Sequence, residues 1–180
     1  MASLDEALRM LEGVKAVAVD FDGVLTRLDL DYPTLRKRAS QILGREVTSL
    51  QRVFNEEFGK PAFYLVNELV RDAEVKVVQD APVFEDGVAL VKELYERGIS
   101  LYLATMQALE PVVIFLQDHG LVQYFKAVLT REDFRSKKEM FQWVMDVEGA
   151  EPREVGVVDD SERNIGWCRE LGMVCVLWRP

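Results

Sequence analysis

Three apolar runs in this chain stop abruptly at residues capable of polar chemistry. Val14 to Val19 runs into Asp20-Phe21-Asp22-Gly23-Val24, Ile99 to Ala104 into Thr105, and Val155 to Val158 into Asp159-Asp160-Ser161. One acidic residue at a strand end is often just a turn former or a helix N-cap. Three polar ends on one edge of one sheet make a stronger pattern. Asp20 and Asp160, projecting from neighbouring strands, would set two like charges close together, which is unfavourable unless a cation neutralises them. Hard oxygen ligands without histidine or cysteine suit Mg2+. A carboxylate beside that ion can attack a phosphoryl group. Asp22 would lie near the leaving oxygen, where it can protonate that oxygen and later activate water. Thr105 and a lysine can supply donors to the remaining phosphoryl oxygens.

Such a site needs a parallel sheet, because ligands gather beyond the carboxyl ends of its strands. Five short runs fit: Val14–Val19, Ile99–Ala104, Ala127–Leu129, Val155–Val158 and Met173–Leu177. They are nearly continuously apolar, as expected of strands covered on both faces. Between them lie amphipathic helices predicted at Asp86–Arg97, Pro111–His119, Ser136–Val147 and Glu162–Leu171, three of them closed by Gly98, Gly120 and Gly172. Alternation of this kind predicts helices on both faces of the sheet. Between Thr26 and Pro82 the rhythm breaks. Three helical stretches, Tyr32–Leu43, Ser49–Phe58 and Ala62–Arg71, are punctuated by Gly44 and Gly59-Lys60-Pro61.

Composition narrows the chemistry further. The chain has 180 residues, 22 Lys and Arg against 31 Asp and Glu, and a net charge of −9. That balance repels nucleic-acid backbones, so no nucleic acid is expected as a partner. The single histidine, His119, excludes histidine-cluster metal sites, and two cysteines are too few for a disulfide framework or a zinc ribbon. Cys168 and Cys175 are expected to be buried or half-buried free thiols. No membrane span is expected from the hydropathy. Met1 to Glu6 lacks the basic start and apolar run of a secretory signal, so the expected location is cytoplasmic.

Val17-Ala18-Val19-Asp20-Phe21-Asp22-Gly23-Val24-Leu25-Thr26 resembles the first motif of the haloacid dehalogenase superfamily. Leu101 to Thr105 is similar to its second motif, and Val157-Val158-Asp159-Asp160-Ser161-Glu162-Arg163-Asn164 to its fourth. The resemblance runs from Val14 to about Leu177. It implies an α/β fold with a Rossmann-like five-stranded parallel sheet, the first strand central between the second and fourth. Residues 1–26 and 82–180 would form that core, and residues 27–81 an inserted helical cap like that of phosphoglycolate phosphatase-like relatives. By the same resemblance, Asp20 is the nucleophile and a Mg2+ ligand. Asp22 is the general acid/base and gives its carbonyl to the metal. Thr105 and the backbone N–H of Met106 bind the phosphoryl group. Asp160 is the acidic metal ligand of the fourth motif, with Asp159 and Asn164 ordering the metal's waters.

The third motif departs from the family pattern. A Lys-Pro pair is common there, but this chain has Arg135-Ser136-Lys137-Lys138. Lys137, at the helix start, is the expected phosphate-facing lysine, and Lys138 is its competitor. Asp22 favours phosphoester hydrolysis over dehalogenation, because an alkoxide needs a proton to leave and a halide does not. The expected activity is Mg2+-dependent hydrolysis of a small phosphorylated metabolite through an aspartyl-phosphate. A phosphomutase would use the same motifs and stays open, as do the substrate and a monomeric or dimeric state. Outside the motifs, Arg36-Lys37-Arg38 is expected to be a solvated face and His119 a helix C-cap. Phe54, Phe58, Phe63 and Tyr64 are expected to pack between the inserted helices, and Trp143, Trp167 and Trp178 to be core or shielding residues.

Overall fold

The computed structural model describes residues 1–179. Five strands form one parallel sheet: β1 (Ala16–Val19), β2 (Ser100–Ala104), β3 (Ala127–Leu129), β4 (Val155–Asp159) and β5 (Val174–Leu177), in the order β3-β2-β1-β4-β5. The first strand is central, as expected. The register sets Val19 beside Leu103 and Val158. Residues 20, 104 to 105 and 159 therefore leave the sheet at the same edge.

Alternate residues of β1 feed two cores. Val17 and Val19 join α1 (Leu4–Met10), α5 (Glu85–Glu96) and α6 (Leu109–Asp118), while Ala16 and Ala18 join α7 (Lys137–Glu148) and α8 (Glu162–Glu170). Both faces are covered, which explains why the strands read as apolar runs rather than alternating ones.

A third cluster belongs to the segment between β1 and α5. There α2 (Tyr32–Leu43), α3 (Leu50–Glu56) and α4 (Pro61–Val78) enclose Leu35, Ala39, Val53, Phe54, Phe63 and Val66. Phe63 meets Phe54, Phe58 and Tyr64 edge-on. Tyr64 remains largely exposed, and so do Lys37 and Arg38. Trp178 is buried in the first core, Trp143 packs at the edge of the second, and His119 caps the end of α6 against Phe115.

Three expectations change. α4 runs seven residues beyond Arg71. Glu74 hides the continuation, because it puts a charge on the stripe formed by Phe63, Val66, Val70 and Val78 and so interrupts the apolar signal. α1 precedes the first strand, started by the Ser3 hydroxyl, which accepts from the Glu6 N–H (3.4 Å). The cysteines are not free thiols. Cys168 on α8 and Cys175 on β5 are joined by a disulfide, because the tight turn at Gly172 folds β5 back along α8 and leaves their Cα atoms 5.9 Å apart.

Candidate active site

The sharp turn after β1 places the first two carboxylates. Asp20 is buried, and its Oδ1 accepts from the Phe21 N–H (2.8 Å) and from Lys137 Nζ (2.8 Å). Among the described residues no hydrogen bond reaches Asp20 Oδ2. Asp22 accepts from the Leu28 N–H (3.0 Å). The turn is closed by the Gly23 N–H donating to Thr26 O (2.7 Å). Gly23 has φ +89°, and a Cβ there would stand 2.0 Å from Asp160 Oδ2. Glycine is therefore needed both for the left-handed backbone and for the approach of the β1 loop to the β4 loop. α5 holds the same loop from behind, where a Cβ on Gly87 would stand 1.8 Å from Val24 O.

Lys137 lies at the start of α7. The Ser136 hydroxyl caps that helix, accepting from the Glu139 N–H (3.3 Å). The ammonium is buried and has three acceptors: Asp20 Oδ1, Asp159 Oδ2 (2.9 Å) and Ala104 O. Those two carboxylates hold the Lys137 ammonium above its ordinary range against the opposing effect of burial. Lys138 points away, to Glu170 (2.9 Å) and over the Trp167 ring. Of the two lysines, only Lys137 reaches Asp20.

Asp159 is wholly buried and accepts from Asn164 Nδ2 (3.2 and 3.1 Å), the Ser161 N–H (2.9 Å) and Lys137. Its oxygens are occupied by protein donors, so it orients Asn164 and Lys137. Asp160 is more open and pairs with Arg27 (3.0 Å). Oxygens of Asp20, Asp159 and Asp160 lie within 4.8 Å of one another. Burial, then repulsion from Asp159, push the Asp20 carboxyl well above its ordinary range, against the pull of Lys137. Burial also raises Asp22, against the Leu28 N–H and Arg27. Carboxylates outnumber the cations among them, and every donor is a hard oxygen. That donor set fits a divalent cation of the Mg2+ type.

Thr105 and Met106 follow β2 at the same edge. The Thr105 hydroxyl accepts from the Gln107 N–H (3.1 Å). The Met106 N–H has no partner among the described residues, while its carbonyl accepts from Arg131 Nη1 (3.1 Å). Asp20, Asp22, Thr105, Met106, Lys137, Asp160 and Asn164 border one cavity of about 330 Å³, whose far wall is supplied by α2, α3 and α4.

The structure brings together Asp20, Asp22, Thr105, Met106, Lys137, Asp159, Asp160 and Asn164, all of them singled out in the sequence. Four participants were not. Arg27 stands between Asp160 (3.0 Å) and Asp22 (3.9 Å). Arg131 is buried beneath the cavity and bonds Glu74 twice (2.7 and 2.9 Å) and Asn67 (2.8 Å). Tyr32 and Gln107 border the cavity. The signal for Arg131 was present, since Thr130-Arg131-Glu132 follows β3 just as Thr105 follows β2. Arg27 and Tyr32 carried no comparable signal.

The sequence pattern of the family described as haloacid dehalogenase-like hydrolase matches residues 12–178. A phosphoglycolate phosphatase of Vibrio vulnificus is 27% identical over 161 residues, covering 86% of this chain and 68% of that protein. One from Photobacterium profundum is 23% identical, covering 88% of this chain and 80% of its own. Among solved structures, a subfamily IA hydrolase of the same superfamily from Geobacter sulfurreducens aligns with a TM-score of 0.61 at 20% identity, covering 91% of this chain and 86% of its own. An enzyme of the family from Bacteroides thetaiotaomicron, in complex with magnesium and inorganic phosphate, aligns with a TM-score of 0.61 at 18% identity, covering 93% and 94%. With the pattern spanning nearly its whole length and the acidic motifs converging at one sheet edge, this chain belongs to the haloacid dehalogenase-like hydrolases.

Proposed function

We propose that this chain is a Mg2+-dependent phosphatase that hydrolyses a small phosphorylated metabolite through an aspartyl-phosphate on Asp20. The observation that carries the reading is the treatment of Asp20: one oxygen is fixed by Lys137 and the Phe21 N–H, and the other is left without a protein partner in an acidic cluster. Curated relatives named phosphoglycolate phosphatase, and the Bacteroides thetaiotaomicron complex with magnesium and phosphate, support it.

Asp20, the carbonyl of Asp22 and Asp160 would hold the metal, with Asp159 and Asn164 behind them. Bound there, Mg2+ would offset the charge shared by the carboxylates and the phosphoryl oxygens. Asp20 Oδ2 attacks phosphorus and the ester P–O bond breaks. Asp22 gives its proton to the leaving alcohol oxygen. The carboxylate so formed then removes a proton from water. That water attacks the phosphorus of the aspartyl-phosphate, and the acyl P–O bond breaks to release phosphate and regenerate Asp20. Thr105 and the free Met106 N–H take phosphoryl oxygens, while the Lys137 ammonium, held at Asp20, offsets their charge. A proton carrier at Asp22 argues against a dehalogenase, whose halide leaves unprotonated.

In this reading residues 27–81 are a cap over the core built from residues 1–26 and 82–180, and the cap excludes water and contacts the alcohol. The small cavity favours a small phosphorylated metabolite as partner. The test is phosphate release from a panel of phosphorylated metabolites with Mg2+ and with chelator, with chromatography for rearranged products. Release is expected only with Mg2+, and Asp20→Asn is expected to lose at least about a thousandfold in kcat. Release that survives in Asp20→Asn overturns the mechanism, and a rearranged phosphate ester as main product makes the chain a mutase.

A further inference from the structure

The far wall of the cavity is nearly neutral, and the reason is a buried ion pair. Arg131, from the loop after β3, borders the cavity beside α4, and its charge is spent on the protein. Of the five N–H groups of a guanidinium, Nε bonds Asn67, both on Nη1 go to Glu74 and the Met106 carbonyl, and one on Nη2 goes to Glu74. Its ring-facing side lies over Phe54, 4.4 Å from the centroid. Glu74 borders the cavity as well, so a carboxylate entering there meets a carboxylate. Lys137 has its three donors committed around Asp20, and Arg163 is exposed on the core side, beside the acidic loop.

Tyr32, Gln51, Asn55 and Gln107 line the cavity with neutral polar groups. Gln107 is 8% exposed, borders the cavity, and has a side-chain oxygen without any partner among the described residues. A buried acceptor left unpaired costs free energy, and in a ligand cavity it marks a position for a donor on the ligand. Tyr32, the first residue of α2, borders the cavity as well. Burial pushes it above the ordinary phenol range, so it serves as a neutral donor and acceptor. Gln51 and Asn55, one turn apart on α3 and hydrogen-bonded to each other, add two amides at the cavity's edge.

We propose that the alcohol released here is a neutral, polyhydroxylated one, so that the substrate is a polyol or sugar phosphate rather than a phosphorylated carboxylic acid such as phosphoglycolate. This rests on the phosphatase reading above and deepens it. Gln107 and Tyr32 take hydroxyls of the alcohol near the scissile oxygen, and Gln51 and Asn55 take hydroxyls farther out. A site that hydrogen-bonds substrate hydroxyls discriminates strongly against analogues that leave its buried polar groups unpaired.

The experiment measures kcat/KM with Mg2+ for glycerol 3-phosphate, erythritol 4-phosphate, ribose 5-phosphate and 2-phosphoglycolate. p-Nitrophenyl phosphate and acetyl phosphate serve as probes of phosphoryl transfer alone. The best hydroxylated substrate is expected to exceed 2-phosphoglycolate by at least about tenfold. In Glu74→Gln, which frees the Arg131 charge while keeping its shape, the ratio of phosphoglycolate to polyol phosphate turnover is expected to rise by about tenfold or more. Turnover of the probes together with a preference for 2-phosphoglycolate overturns the present proposal and leaves the phosphatase reading standing. Failure to turn over any compound, the two probes included, overturns the phosphatase reading itself.

Discussion

Arg131 and Glu74 meet in a two-pronged ion pair, 2.7 and 2.9 Å, from which solvent is almost wholly excluded. It links the loop after β3 to α4, and both of its members also bond the loop after β2. Arg131 bonds the Met106 carbonyl, and Glu74 accepts from the Ala108 N–H (3.3 Å). Nearby, Glu132 accepts from Asn67 (2.9 Å) and from the Leu109 N–H (2.7 Å), tying the same three segments. The inserted helices are therefore joined to the loop that carries Thr105 and Met106, not only to the core in general.

Removing one member of such a pair leaves a buried charge uncompensated. Arg131→Ala and Glu74→Ala are each expected to destabilise the fold by about 3–5 kcal/mol. The double variant Arg131→Met with Glu74→Leu is expected to recover most of that loss, because similar volume is kept and no charge is stranded. Urea unfolding of the four proteins checks this, and a double variant no more stable than the singles contradicts it.

Lys137→Ala is expected to lose about a hundredfold or more in kcat, as for removal of one charged donor at a reacting group. Lys138→Ala is expected to stay within about twofold, since its ammonium faces Glu170 and Trp167 at half-exposed positions. Steady-state kinetics of the two variants decides the matter, and the opposite order sinks the assignment.

Gly23→Ala adds a methyl where Asp160 Oδ2 lies and strains a backbone at φ +89°. The strain alone is worth about 1–2 kcal/mol, and Asp160 must shift away from Asp20. The expected result is a folded protein that needs at least about tenfold more Mg2+ for half-maximal activity. Metal titration of activity, with circular dichroism as the control for folding, gives the answer.

The disulfide between Cys168 and Cys175 closes a short loop from α8 to β5. Its reduction is expected to cost about 2 kcal/mol of stability through the unfolded chain's regained freedom. Cys168→Ala and Cys175→Ala should match the reduced protein. Thermal unfolding with and without reductant measures the difference, and a thiol assay on the denatured, unreduced protein should find no free thiol.

Strand ends, their residue types and their order along the chain were legible because they are local. An apolar run and the polar residue that stops it are neighbours in sequence. Thus Asp20, Asp22, Thr105, Asp159 and Asp160 could be named together at one edge of a parallel sheet, while the central place of β1 came from the family resemblance of the motifs. Lys137 was nameable as one of two adjacent residues. Its place at the helix start favoured it, and the phase of α7 relative to β1 puts Lys137 2.8 Å from Asp20 and turns Lys138 outward.

What the amino-acid order determined by itself was the chemistry available: hard oxygens, a hydroxyl, a lysine, and the sheet edge that gathers them. Only the tertiary structure decided which charges remain free. Glu74 is neutralised because Arg131, far from it in sequence, meets it in a dry interior. Cys168 and Cys175 are linked because a turn brings α8 and β5 side by side. Charge cancellation and covalent pairing depend on distance in space, and a pattern along the chain specifies that distance only after the whole fold has formed.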